Sequence, residues 1–338
     1  MNTIRNQVKD LWKICFDDTD DFVNLYFNLR YNEEVNLYIK NGSQVISALQ
    51  MLPYPFTYYQ EELQSSYISG ACTHPDFRNK GVMRKLLAEA FANMSFNKVD
   101  VSTIIPANDW LFDYYAKSGY VTVFYYAMKD VKPIANVHNS VCIEQMTTFR
   151  SDVYDYFNRC MHQRNCCVQH TEKDIQVIMA DMKIDKGYIF TARQEDKIVG
   201  TVFAYNEDKD LYIVELFADS EDIKQQLIYA VHQINAAFNI KMIAPVSKED
   251  EPQTLGMIRI IDAPKMLQLY ASNHPSAEMK MSLTDPLISS NNGCYYLDKG
   301  QCIASRKPLQ KEYAHFTIDD LAKLLFADIN PYMSLMMD

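Results

Sequence analysis

The sequence predicts an α+β protein, and three observations carry that prediction. Hydrophobic residues, 48% of the 338-residue chain, recur both in strict alternation and at helical spacing. A strand–turn–helix segment at 67–91 has glycine and basic residues at its turn, and the same order of elements recurs after residue 188 with a different turn. A last segment then follows with a pattern of its own. A chain of this length ordinarily makes two or three domains, each able to bury a core.

In order along the chain, Ile4, Val8, Leu11, Trp12 and Cys15 mark one helical face. The run Asp17-Asp18-Thr19-Asp20-Asp21 supplies N-caps for a second helix carrying Phe22, Leu25, Tyr26 and Leu29. Alternating residues at 35–39 and 45–49 flank Asn41-Gly42, a hairpin turn signal. The strand Tyr67-Ile68-Ser69-Gly70-Ala71 leads through a turn to a helix with Met83, Leu86, Leu87, Ala90 and Phe91 on one face. A strand at 99–105, a helix at 110–117, the turn Ser118-Gly119-Tyr120 and a strand at 121–128 complete the first set, and 130–133 begins a linker.

The second set has strands at 188–192, 198–203 and 211–217, a helix at about 222–238 and a strand at 240–246. The last segment reads as a short helix around Met266, Leu267 and Leu269, a strand at 277–283, a hairpin at 294–303 and a helix capped by Thr317 or Asp319. These shifts divide the chain into 1–133, 134–255 and 256–338.

The turn at 72–84, Cys72-Thr73-His74-Pro75-Asp76-Phe77-Arg78-Asn79-Lys80-Gly81-Val82-Met83-Arg84, carries the chemistry. A glycine at a helix's opening turn lets a ligand approach the backbone, and the free N–H groups there suit a phosphate. Arg78, Lys80 and Arg84 concentrate positive charge in a chain whose net charge is −10. The spacing matches neither G-x-x-x-x-G-K-[ST] nor G-x-G-x-x-G. Arg78-Asn79-Lys80-Gly81-Val82-Met83 instead resembles the coenzyme A pyrophosphate loop of the GNAT N-acetyltransferases, [Arg/Gln]-x-x-Gly-x-[Gly/Ala], with Met83 departing from the small last residue. At the matching place of the second set stands Ala218-Asp219-Ser220-Glu221-Asp222-Ile223-Lys224. It has no glycine, and its carboxylates repel a pyrophosphate, so the second copy is expected to be structural.

Taken whole, the chain resembles the enhanced-intracellular-survival (Eis) type acetyltransferases. The pieces that carry this are 73–83 with the bulky pair Val82-Met83, Ser118-Gly119-Tyr120, Arg259-Ile260-Ile261-Asp262-Ala263-Pro264 and Leu283-Thr284-Asp285-Pro286-Leu287. The resemblance implies tandem GNAT folds followed by a small sterol-carrier-protein-like α+β domain. It also implies direct acetyl transfer from acetyl-CoA to an amine of an aminoglycoside-like or polyamine-like acceptor. The donor's pantetheine is expected along the strand ending in Ala71, Cys72 and Thr73, its pyrophosphate at Arg78, Asn79, Lys80, Gly81, Val82, Met83 and Arg84, with Asn108 a further contact.

A tyrosine suits the general acid, since its ordinary pKa of about 10 matches a departing thiolate. Most of the 23 tyrosines pack rather than react, but two have a position relative to Gly119. Tyr120 stands where this family carries its acid, and Tyr115 stands at the wider GNAT position Tyr-x-x-x-Gly; Tyr120 is favoured. By the same resemblance the base is the carboxylate of the C-terminal Asp338. A non-catalytic binding protein on the same scaffold, and an acetyltransferase of peptide amines, are the rival readings.

The remaining features bound the setting. The acidic balance argues against nucleic acid and for a cationic partner. No apolar run reaches the length of a bilayer span, and the N-terminus reads as an amphipathic helix rather than a signal peptide. Eight cysteines without a C-x-x-C pair suit a reduced, cytoplasmic protein. Cys160, His162, Cys166, Cys167 and His170 cluster without a recognised zinc spacing, so no metal is expected. The resemblance suggests a homo-oligomer.

Overall fold

The computed structural model describes residues 3–59, 61–134, 141–308 and 312–337. It begins with helices α1 (Ile4–Cys15) and α2 (Asp20–Leu25), the latter continued by a π-turn through Arg30. Thr3 and Thr19 cap them, each hydroxyl accepting from a backbone N–H at 3.2 Å. Strands β1 (Asn36–Asn41), β2 (Gln44–Tyr58) and β3 (Glu61–Thr73) form an antiparallel meander. Helix α3 (Val82–Phe96), strand β4 (Val101–Ile104), helix α4 (Asp109–Ala116) and strand β5 (Val121–Val131) follow.

Next come β6 (Cys142–Gln145), α5 (Ser151–His162), β7 (Cys166–Val168) and α6 (Glu172–Ile184). Strands β8 (Tyr188–Gln194), β9 (Lys197–Glu207) and β10 (Asp210–Ala218), helix α7 (Glu221–His232) and strand β11 (Asn239–Ala244) complete this stretch. The last part has β12 (Gln253–Ile260), α8 (Ala263–Asn273), β13 (Met279–Thr284), β14 (Gly293–Asp298), β15 (Gln301–Ser305), β16 (Ala314–Thr317) and α9 (Ile318–Phe326).

The chain folds as two compact units rather than three consecutive ones. One comprises 1–124 and 255–331, the other 125–254 and 332–337. The departure from the expected boundary at 256 has a clear cause. Strand β12 is antiparallel to β4, from Met257↔Ile104 to Ile260↔Val101, and fills the position between β4 and β5. Its residues Met257, Ile258 and Ile260 are buried on both faces of a central strand, so the C-terminal segment begins inside the first unit's sheet.

In that first unit the sheet order is β1-β2-β3-β4-β12-β5, and β15-β14-β13-β16 make a second, four-stranded sheet. Leu86, Leu87, Ala90, Phe91 and Met94 of α3 pack on Ile68, Ile104, Tyr115, Tyr120 and Met257 in one core. In the second unit β5, β11, β10, β9, β8 and β6 are neighbours in that order. There, α7 buries Ile223, Leu227, Ile228 and Val231 against Val202, Ala204, Leu211 and Ile213. Helix α7 ends at His232, short of the expected 238, because 235–238 turn into β11.

Candidate active site

Strands β3 and β4 run parallel and pair only from Ser65↔Val101 to Tyr67↔Thr103. Strand β3 continues to Thr73, so beyond Tyr67 its edge toward β4 carries main-chain groups with no strand beside them among the described residues. Opposite, the pairing with β2 steps from Gln50↔Ser69 to Ala48↔Cys72, which leaves Gly70 and Ala71 as a bulge. Gly70 has φ +59°, and a Cβ there would lie 2.1 Å from the Trp12 ring. No side chain fits between this strand and α1. The sequence offered only a lone glycine in a strand, a signal that permits a bulge or a close approach without choosing between them.

The turn that follows is built to leave a helix end open. His74 Nδ1 accepts from the Asp76 N–H at 3.3 Å and caps the short turn Pro75–Phe77, so His74 is structural. Asn79 and Gly81 are both left-handed, with φ 59° and 73°. Gly81 is the N-cap of α3, no side chain caps that helix, and the space a Cβ would occupy at Gly81 is empty to 4 Å. The first-turn N–H groups of α3 therefore point from an exposed turn with no internal acceptor of their own.

Basic side chains surround this end. Arg78 Nε donates to the Thr73 carbonyl at 3.1 Å and Lys80 Nζ to the Asp76 carbonyl at 2.8 Å, so both charges are held on the loop. Arg84 is exposed in the first turn and close enough to Tyr114 to stabilise its phenolate form. Met83 packs against the core cluster beneath α3, which is why a bulky residue stands at the loop's last position. Asn108 is the exposed N-cap of α4, and its side chain makes no capping bond.

The two tyrosines lie together in the core behind the strand edge. Tyr120 is 1% exposed, and its hydroxyl lies 2.7 Å from Ser102 Oγ, which itself donates to the Ser66 carbonyl at 3.1 Å. Since Ser66 and Ser102 are register partners, that hydroxyl sits one residue pair before β3 and β4 part. Burial raises the Tyr120 pKa and keeps the phenol protonated. Tyr115 is also buried, its pKa raised by burial, and its ring packs on Tyr120 with centroids 6.0 Å apart. Asp338 lies outside the described residues.

Sequence reasoning missed what holds the Gly119 turn. Arg259 of β12 is fully buried, donates from Nη1 to the Ser118 carbonyl at 2.8 Å, and pairs through Nη2 with both Asp285 oxygens at 2.7 and 2.9 Å. Its guanidinium also lies 4.6 Å from the centre of the Phe91 ring. Asp285 further accepts from Leu287 N, Ile288 N and Asn291 Nδ2. The separate sequence pieces around 118–120, 259–264 and 283–287 are thus one buried network.

Other sequence candidates are accounted for differently. Asp18 accepts from Trp12 Nε1 at 2.6 Å, Asp20 pairs with Lys13, and Thr19 caps α2, so the acidic run serves local structure. Cys166 and Cys167 are buried in β7, while the rings of His162 and His170 bond main-chain carbonyls. No helix among the described residues is long and apolar enough to cross a membrane.

A parallel strand pair that separates, an open glycine-led helix end where they part, and a surrounding basic loop together define a site for a long anionic donor. Residues 3–123 match the family model of an acetyltransferase (GNAT) domain. The chain thus carries a GNAT acetyltransferase domain and is an enzyme of that acyltransferase class, with acetyl-CoA as its donor. The open helix end, the empty space above Gly81 and the unpaired β3 edge fit that donor.

Known folds extend the likeness over the whole chain. The GCN5-related N-acetyltransferase from Kribbella flavida has a TM-score of 0.76 at 16% identity, over 100% of this chain and 97% of that one. The GCN5-related N-acetyltransferase from Anabaena variabilis ATCC 29413 has a TM-score of 0.76 at 15% identity, over 97% and 96%. Eis1 from Mycobacterium abscessus has a TM-score of 0.71 at 10% identity, over 95% and 87%. At such identities the likeness is one of fold. No curated protein matches the chain in sequence.

Proposed function

We propose that the chain transfers the acetyl group of acetyl-CoA to an amine of a small polycationic acceptor by direct attack. The observation that carries the proposal is the uncapped, left-handed Gly81 entry to α3, at the end of a strand edge that has no partner. When bound, acetyl-CoA supplies an activated thioester. The N–H groups at 81–84 would donate hydrogen bonds to its pyrophosphate oxygens, with Arg78, Lys80 and Arg84 offsetting its charge. The main chain of Ala71, Cys72 and Thr73 holds the pantetheine arm, and Asn108 adds a side-chain contact.

Tyr120 is the general acid of this reading. Its raised pKa keeps the phenol protonated, and the Ser102 hydroxyl beside it at 2.7 Å holds the phenol in place. Tyr115 is the second candidate, because its phenol is near enough to the Cys72 thiol for their charges to interact. The base role belongs to Asp338 by family resemblance. The net charge of −10 supports a cationic acceptor. We read the four-stranded sheet with α8 and α9 as the sterol-carrier-like part, with no lipid role assigned.

The test is calorimetric titration with acetyl-CoA, followed by thiol release in the presence of polyamines and aminoglycosides. One site per chain is expected. Gly81→Glu forces a side chain into left-handed backbone and sets a carboxylate at the helix end, and is expected to weaken binding by more than about 100-fold. Tyr120→Phe is expected to lower kcat by about 100-fold or more with the donor Kd unchanged, and Tyr115→Phe by less than about tenfold. No binding by the unsubstituted protein, or thiol release unaffected by Tyr120→Phe, overturns the corresponding part of the proposal.

A further inference from the structure

The mechanism leaves unused a pair of thiols at the start of the cradle. Cys15 is the last residue of α1, half-buried, and its S–H donates to the Thr73 carbonyl at 3.4 Å. That carbonyl also accepts from Arg78 Nε at 3.1 Å, so sulfur and guanidinium converge on one oxygen. Cys72, the neighbouring residue on β3, is 5% exposed, and its thiol is hydrogen-bonded to the Cys15 sulfur. Two thiols thus stand at the start of the cradle, one half-buried against the Thr73 carbonyl and one enclosed on the residue before it, with a fixed cation beside them.

We propose that Cys15 and Cys72 form a thiol pair that low-molecular-weight disulfides oxidise to an internal disulfide, Cys15 attacking and Cys72 resolving. In the first step the Cys15 thiolate attacks one sulfur of RSSR, making a Cys15–SR bond and expelling RS⁻. In the second, RS⁻ takes the Cys72 proton and leaves as RSH. The Cys72 thiolate then attacks the Cys15 sulfur, forming the Cys15–Cys72 bond and expelling the second R group as thiolate, protonated by solvent with the proton Cys15 first gave up. Two protein thiols lose two electrons and two protons, and one RSSR becomes two RSH.

The electrostatics assign the two roles in this order. The hydrogen bond from Cys72, with the Arg78 guanidinium adding to it, lowers the Cys15 thiol to about 7 despite partial burial. The same contact, with burial, raises the Cys72 thiol well above its ordinary value. An attacking thiol is most effective with a pKa near ambient pH. The remaining cysteines are set apart: burial raises Cys160, Cys166, Cys167 and Cys302, Cys294 is buried, and Cys142 is exposed without such a partner in hydrogen-bond contact among those described. Because Cys72 precedes the carbonyl that holds Arg78, a bond here ties thiol redox state to the strand edge that receives the donor.

The test incubates the reduced full-length protein with oxidised glutathione, quenches with acid, alkylates and maps the peptides by mass spectrometry. The unsubstituted chain is expected to yield a Cys15–Cys72 linked peptide and no lasting glutathione adduct at either residue. Cys72→Ser should stop with one glutathione on Cys15, and Cys15→Ser should yield neither product. Glutathione settling on Cys142 while Cys15 and Cys72 stay alkylable overturns the proposal, as does an unsubstituted chain that stops at the Cys15 adduct. Should a serine variant fail to fold, substoichiometric iodoacetamide on the unsubstituted chain decides the attacking role. Labelling of Cys15 ahead of Cys142 supports it, and the reverse order overturns it.

Discussion

The two units repeat one device, a parallel strand pair that parts beside a helix N-terminus, and they finish it in opposite ways. In the first, β3 and β4 part after Tyr67↔Thr103, and α3 opens at Gly81 with no side-chain cap. In the second, β10 and β11 part after Ile213↔Met242, leaving a cleft of about 380 Å³ lined by Leu216, Phe217, Ala218, Met242, Ile243 and Ala244. There α7 is closed: Ser220 accepts from the Ile223 N–H at 3.3 Å, and Glu221 and Asp222 occupy the first turn. The parting of strands is common to both units, whereas the turn residues differ: one helix end is uncapped and flanked by basic side chains, the other is capped and acidic.

A second pair of regions sharpens the contrast. Each unit buries an arginine–carboxylate pair in two-point contact. Arg259–Asp285 is wholly enclosed, while Arg164–Glu215, at 2.8 and 2.9 Å, leaves the arginine side chain 19% exposed. Enclosure sets the penalty for an orphaned charge. Asp285→Ala is expected to cost about 3–5 kcal/mol in urea unfolding, and Glu215→Ala about half of that. Equal losses would break the comparison. Arg259→Met with Asp285→Leu should cost less than Asp285→Ala alone, because no charge is left stranded.

Next in size is an effect on stoichiometry. The combined change Glu221→Gln and Asp222→Asn removes the repulsion at α7 but leaves Ser220 holding the helix end. Acetyl-CoA titration of this variant is expected still to give one site per chain. A second site would mean that charge alone, and not capping geometry, separates the two copies.

The smallest effect concerns Asp181 on α6. Burial, with Asp185 adding to it, raises its carboxyl to about 6. Between about pH 4 and pH 6 the native state then holds more protons than the unfolded chain, so this group's contribution falls as pH rises through that window. Asp181→Asn is expected to flatten that slope and to gain about 1 kcal/mol at pH 7, the value being reduced for solvent screening at a partly exposed site. Parallel urea midpoints for both proteins across pH 4–7 would count against it.

Much of the first unit was legible because local signals carry it. Thr19, within the acidic run, and Thr317 announce two helix starts, and Thr317 closes a capping box with Asp320 on α9. The glycine and basic residues of the cradle are contiguous in sequence, so the loop could be read as a unit. The short strand Cys166–Val168 was illegible: three buried residues carry no period, and main-chain bonds to Tyr332 hold them, 2.9 Å from Tyr332 N to Cys166 O and 3.1 Å from Val168 N to Tyr332 O.

By itself the sequence determined the alternation of elements, the glycine-led helix end at Gly81, the acidic turn at 219–222 and the placing of both tyrosines relative to Gly119. Each of these depends on residues a few positions apart, where propensity and capping act directly. The tertiary structure alone decided that β12 enters the first unit's sheet, that Trp12 excludes a side chain at residue 70, and that Arg259 joins Ser118 to Asp285. Those outcomes bring together residues far apart in the chain, and only burial makes a distant carboxylate the necessary partner of a given arginine.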